Sequence, residues 1–138
     1  MITVRKQELV NINDVLHLYQ AVGWTNYTNQ PQMLEQALSH SLAIYLALDG
    51  DAVVGLVRLV GDGFSSIFVQ DLLVLPTYQR QGIGSALMKK ALGNFKDAYQ
   101  VRLVTEQTEK TLGFYRSLGF ETLSTYDCTG MIWIDRKR

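Results

Sequence analysis

The chain has 138 residues, a length that suits a single domain spanning 1–138 and is enough to bury a real core. It is 47% apolar and 19% charged, the composition of a folded globular protein and not of a disordered one. Thirteen basic residues balance thirteen acidic ones, so no global field favours nucleic acid or an anionic membrane, and any polyanion must be met by a local site.

In chain order, Met1 to Val4 reads as a short edge strand. Asn11 to Val22 carries Ile12, Val15, Leu16 and Tyr19 at helical spacing and is stopped by Gly23. A polar loop, GWTNYTNQP (23–31), follows, and Pro31 opens a second short helix through Met33, Leu34, Ala37 and Leu38. LAIYLALD (42–49) and AVVGLVRLV (52–60) are strands joined at Gly50-Asp51, a two-residue hairpin signal. SIFVQDLLVLP (66–76) is a third strand, apolar apart from Gln70 and Asp71 as a strand covered on both faces would be. A helix from Gly82 to Phe95 places Ile83, Ala86, Leu87 and Ala91 on one stripe, with Lys89 and Lys90 outside. VRLVT (101–105) is a strand, Thr108 to Leu118 a helix ended by Gly119, and FETLST (120–125) and CTGMIWID (128–135) are the last strands. The order β-α-α-β-β-β-α-β-α-β-β is that of an α/β protein with a mixed, mostly antiparallel central sheet flanked by helices.

The corner at Gln79-Arg80-Gln81-Gly82-Ile83-Gly84 enters a helix through two glycines. The first turn of a helix leaves backbone N–H groups without partners, and its macrodipole puts partial positive charge there. Glycines admit an anion to that backbone and Arg80 adds a full charge, so the corner can cradle phosphate. An ordinary strand-to-helix turn with strain-relieving glycines explains the spacing equally well. A Walker loop is absent, and Leu87 holds the place of the third glycine of a dinucleotide fingerprint.

The segment DLLVLPTYQRQGIGSALM resembles the acetyl-CoA-binding motif of the GNAT N-acetyltransferase superfamily, Q/R-x-x-G-x-G/A, with Gln79, Gly82 and Gly84 in its places. FYRSLGFE (114–121) is similar to the same family's second motif, a tyrosine-bearing helix followed by Gly-Phe. DLLVLP, FYRSLGF and GMIW together look most like the arylalkylamine (serotonin-type) N-acetyltransferases of plants and cyanobacteria and their bacterial relatives. The resemblance implies acetyl-CoA as cosubstrate. Leu72, Leu73 and Val74 would pair with the pantetheine arm. The pyrophosphate would rest on Arg80, Gln81, Gly82, Ile83, Gly84 and Ser85, beside Gln79. It also implies a sheet splayed between the strands at 66–75 and 101–105, and it allows a homodimer.

Acetyl transfer to an amine needs a neutral nucleophile and a proton for the leaving thiolate. An alkylamine with pKa ~10.4 costs about 4–5 kcal/mol to present neutral at pH 7. Asp71, an acid in an apolar strand, is the candidate base; the alternative is a carboxylate bonded to loop N–H groups that holds the wedge open. The resemblance makes Tyr115 the general acid, against a packing role with Leu112 and Leu118. Where many members carry Asn and Ala, this chain has Thr108 and Thr111; Thr108 keeps a hydroxyl for the pantetheine. Trp24 and Tyr27, in the loop that covers the acceptor pocket in this family, stack on an aromatic or cationic amine, or GWTNY is a helix-capping loop whose Trp24 plugs the core. Met131 and Trp133 are expected in the core or at its rim, Cys128 as a packed side chain, and His17 and His40 at the surface.

No cluster has metal-ligand spacing, so no metal is expected. One cysteine excludes an internal disulfide, no apolar run reaches the ~20 residues of a bilayer span, and MITVRKQELV lacks a signal peptide's order. The expected address is the cytoplasm, without membrane or nucleic-acid partners. The implied function is an acetyl-CoA-dependent N-acetyltransferase acting on a primary amine of a small molecule. A protein lysine or N-terminal acetyltransferase and a non-catalytic CoA-binding module are the alternatives.

Overall fold

Gly50, in a left-handed conformation (φ 62°), turns β2 (Ala43–Asp49) back on β3 (Ala52–Gly61), with Asp49 opposite Ala52. Around this hairpin a computed structural model, describing residues 1–134, builds a five-stranded sheet in the order β1-β2-β3-β4-β5. β1 (Ile2–Lys6) is the antiparallel edge expected at the amino terminus. β4 (Ser66–Val74) is antiparallel to β3, and β5 (Gln100–Leu103) is parallel to β4.

The helices begin where their sequence signals place them. Asn11 caps α1 (Ile12–Ala21), accepting the Asn13 N–H, and Pro31 opens α3 (Pro31–Ser39). Between them the expected loop contains a short helix, α2 (Thr25–Thr28). Val15, Leu18, Tyr19, Leu34 and Leu38 of α1 and α3 bury against Ile44, Leu46 and Leu48 of β2, Leu56 of β3 and Leu73 of β4. The alternate residues of β2, Tyr45 and Ala47, face the other side, where α4 (Ile83–Gly93) lies. That face takes Ile83, Leu87, Met88 and Ala91; Ala86, expected inward, is exposed and Met88 replaces it. Gly55 sets how closely α4 approaches: a Cβ there would stand 3.1 Å from the Leu73 carbonyl and 3.2 Å from Leu87 Cδ1. With both faces covered, β2 is buried almost end to end.

The described residues fall into two compact units, Met1–Leu103 and the chain from Val104 onward. In the second, Thr108 caps α5 (Glu109–Ser117) by accepting the Thr111 N–H. The two strands expected after it do not form among the described residues. Leu123–Tyr126 is a 3₁₀ turn, because local bonds take up its backbone. The Thr125 N–H donates to the Thr122 carbonyl, the Glu121 carboxylate accepts the Thr122 N–H, and the Thr122 hydroxyl meets those of Ser124 and Thr125. Residues 128–134 pair with no strand among the described residues, and Met131, at 94% exposure, and Trp133, at 79%, lie outside the core. Cys128 is likewise exposed, its thiol directed at the Tyr126 carbonyl. Asp135, the end of the expected last strand, lies outside the described residues.

Candidate active site

The register of β4 builds the first part of the site. Arg58 of β3 stands opposite Asp71, but Leu59 stands opposite Val69, so Gln70 is an extra residue in β4, a β-bulge. Neighbours on a strand point to opposite faces. Asp71 therefore shares the α1–α3 face with Arg58, whereas Val69 shares the α4 face with Leu59. A bulge thus sends two residues that differ by two positions to opposite sides of the sheet.

On the α1–α3 face Asp71 meets a complete set of donors. Arg58 Nε lies 2.7 Å from Oδ2, Tyr19 Oη 3.0 Å from Oδ2, and Tyr27 Oη 3.0 Å from Oδ1. Arg58 spends its other nitrogens on the Ala37 carbonyl, the Ser41 hydroxyl and the Tyr27 hydroxyl at 3.3–3.4 Å. Both ions are nearly sealed from water, Arg58 at 4% and Asp71 at 2% exposure. Burial, reinforced by the Asp71 charge, pushes the phenols of Tyr19 and Tyr27 up and keeps them as donors. Burial alone would lower the Arg58 guanidinium, but the adjoining carboxylate outweighs it and raises it.

Asp71 stands as the counter-ion of a buried arginine. Its partners are side chains, not the loop N–H groups of the alternative. Tyr27 is buried with its hydroxyl committed, and its ring sits edge-on to Tyr19 at 5.1 Å. Trp24 is half-buried, 6.2 Å from both tyrosine rings. The residue that plugs the core is Tyr27 and not Trp24, which keeps an open side. No sequence motif marks Arg58 or Tyr19. The signal available was a lone arginine in AVVGLVRLV facing a lone aspartate in the next strand.

β5 pairs only with Ser66–Val69, so beyond the bulge β4 has a free edge on that side among the described residues. The Leu75 N–H donates to the Val54 carbonyl, which by antiparallel alternation turns the backbone groups of Asp71 and Leu73 toward β3 and those of Leu72 and Val74 toward the open edge. The Gln79 side chain donates to the Val74 carbonyl at 3.1 Å, as that direction requires. Of the three residues expected to hold the pantetheine, Leu72 and Val74 thus offer backbone groups, while Leu73 is engaged with Leu56.

The free edge runs into the second part of the site, a 3₁₀ turn (Pro76–Tyr78) and the start of α4. Arg80 (φ 65°) and Gly82 (φ 79°) are both left-handed. Glycine suits this backbone at 82, and a Cβ there would meet no protein atom within 4 Å. No side chain caps α4; its first bond is the Ala86 N–H to the Gly82 carbonyl, which leaves the N–H groups of Ile83, Gly84 and Ser85 for a ligand. Arg80 and Gln81 are exposed beside them, and the Gln81 amide reaches the Thr77 carbonyl at 3.5 Å.

In the second unit, Tyr115 of α5 packs edge-on between Phe114 and Phe120, at 5.0 and 5.9 Å. Burial raises its phenol above the ordinary value despite a hydrogen bond with Thr105, so it is protonated at neutral pH. Thr108 uses its hydroxyl as the α5 cap and donates it to the Thr111 hydroxyl at 2.9 Å. His17 and His40 are exposed, bonded to the Val53 and Gln36 carbonyls. Among the described residues no group of histidine, cysteine or carboxylate side chains could hold a metal, and no helix is long and apolar enough to cross a membrane.

Residues 40–122, which contain the bulge, the free edge, the cradle and Tyr115, match the acetyltransferase (GNAT) domain. The chain belongs to the GNAT family. A GNAT family acetyltransferase of Streptococcus pneumoniae is 79% identical, with a TM-score of 0.92 and 99% of each chain covered. Serotonin N-acetyltransferase 2 of rice, a chloroplastic protein, is 30% identical over 115 residues, covering 80% of this chain and 56% of the rice protein. The PaiA N-acetyltransferase of Thermoplasma acidophilum, solved in complex with coenzyme A, shares the fold at 16% identity and a TM-score of 0.71, over 88% of this chain and 90% of its own. This GNAT chain is therefore an N-acetyltransferase by class, with a mixed α/β fold.

Proposed function

We propose that this GNAT acetyltransferase takes its acetyl group from acetyl-CoA and transfers it directly to a primary amine of a small molecule. The observation that carries the cosubstrate is the continuity of the open β4 edge at Leu72 and Val74 with the uncapped start of α4. An extended amide-bearing arm fits the first by strand-like pairing, and a pyrophosphate fits the second. When bound, acetyl-CoA supplies an activated thioester acyl group. Leu72 and Val74 orient the arm; Ile83, Gly84 and Ser85 donate N–H groups to the phosphates, and Arg80 adds its charge. Gln79 braces the turn between the two through the Val74 carbonyl. The Tyr115 phenol holds the proton that the departing thiolate needs. Asp71 is left out of proton transfer; the acceptor ammonium gives one proton to water before attack, and the second, released from nitrogen as the amide forms, returns through water to the Tyr115 phenolate.

Two measurements test this. Calorimetric titration with CoA is expected to show one site per chain. Release of free thiol from acetyl-CoA across arylalkylamines, polyamines and lysine peptides is expected with small amines. Its kcat/KM should climb with pH until the acceptor's own pKa. CoA binding without turnover on any acceptor, or turnover on peptides alone, would overturn the reading.

A further inference from the structure

Beyond its bulge β4 reads Asp71, Leu72, Leu73, Val74, three apolar residues in a row, and helices cover both faces of the sheet. An apolar pattern with no alternation does not choose between registers one residue apart. If the bulge were lost, the pairing of Val69 with Leu59 would continue as Gln70 opposite Arg58, Asp71 opposite Val57 and Leu72 opposite Leu56. Leu72 would fill the core position of Leu73 well enough. Asp71 would not be accommodated, because it would turn with Val57 onto the α4 face, away from Arg58, Tyr19 and Tyr27. The same slip would exchange the free-edge groups, turning Leu72 and Val74 toward β3 and Asp71 and Leu73 outward.

We infer that the buried cluster of Asp71, Arg58, Tyr19 and Tyr27 is the register lock of β4, and that it positions Leu72 and Val74 at the open edge. A buried ion pair is weakly favourable at best compared with apolar residues of the same volume, so stability alone does not account for it. Fixing one register out of two apolar-compatible ones does. The link to the acyl donor rests on the reading of the open edge given above; the lock itself does not.

The test replaces the pair by apolar side chains, Arg58→Met with Asp71→Leu, which leaves three leucines in succession and Gln70 as the remaining polar residue, one that in the slipped register would take the place of Asp71 beneath the Tyr19 and Tyr27 hydroxyls. The double variant is expected to fold, with a melting temperature within about 5 °C of the parent. Amide hydrogen exchange then reads the register directly. In the parent Asp71 and Leu73 exchange more slowly than Leu72 and Val74; in the double variant this contrast is expected to collapse, and the Kd for CoA to rise at least tenfold. Asp71→Asn, which keeps the shape and an acceptor oxygen, is expected to preserve the contrast and to bind CoA within about threefold of the parent. A double variant that keeps the parent's exchange contrast, or does not fold, overturns the lock, as does an Asp71→Asn variant that loses the contrast. If the parent does not bind CoA, the proposed cosubstrate fails, and the exchange contrast still decides the lock.

Discussion

Removing the Arg58 guanidinium alone isolates the electrostatic term. In Arg58→Met, Asp71 remains at 2% exposure with two phenolic donors and no counter-ion. Breaking a buried pair in this way costs about 3–5 kcal/mol, because the remaining charge is neither solvated nor matched. A chain of 138 residues unfolds with an entropy of about 0.3 kcal/mol/K, from roughly 2.1 cal/mol/K per residue, so the melting temperature should fall by about 10–17 °C. Thermal melts followed by circular dichroism at pH 7 measure this. Adding Asp71→Leu should restore most of the loss, since the stranded charge goes with it. A single variant that melts within about 3 °C of the parent would refute the reasoning. So would a double variant as unstable as the single, which would place the loss in packing and not in charge.

Gly82→Ala should cost roughly 1–2 kcal/mol through its left-handed backbone, with no clash inside the protein, yet weaken CoA binding more than tenfold by placing a methyl group over the cradle; melts and calorimetry separate the two. Tyr115→Phe should lower kcat about 100-fold with little change in KM for acetyl-CoA. Because burial holds the phenol above 10.0, a required proton on Tyr115 is lost only as pH rises through that raised value, so the parent's kcat should show no fall from this group below pH ~10. Asp62 accepts the N–H groups of Phe64, Ser65 and Ser66 and the Ser65 hydroxyl, which hold its carboxyl well below the usual range. Its contribution is present above the unfolded value of about 3.9 and is lost as pH falls toward the folded value. Melting temperatures should therefore drop more steeply between about pH 4 and 2 in the parent than in Asp62→Asn.

Local chemistry made much of this legible in the sequence. The Gly50-Asp51 hairpin, the Pro31 helix start, most of the α4 stripe and the Gly82 corner each depend on residues a few positions apart. Failures arose where a local signal needed a distant partner. FETLST has β-prone Phe and Thr, but Glu121 takes the Thr122 N–H and the hydroxyls of Thr122, Ser124 and Thr125 bond to one another, and 128–134, for all its β-prone residues, pairs with no strand among the described residues. Asp71 was singled out because an acid in an apolar strand is costly; its role lay in Arg58, 13 positions earlier, and Tyr19, 52 positions earlier.

The sequence by itself determined the order of the first ten elements bar one short helix, the helix entry that suits a phosphate, and the family whose motifs it carries. Tertiary structure alone decided what the polar residues inside the sheet do. Strand register is a property of two chains side by side, and a single extra residue at Gln70 turns Asp71 to the opposite face from Val69. No pattern within β4 encodes that turn, since its apolar residues satisfy both faces equally; the arginine across the ladder makes the choice.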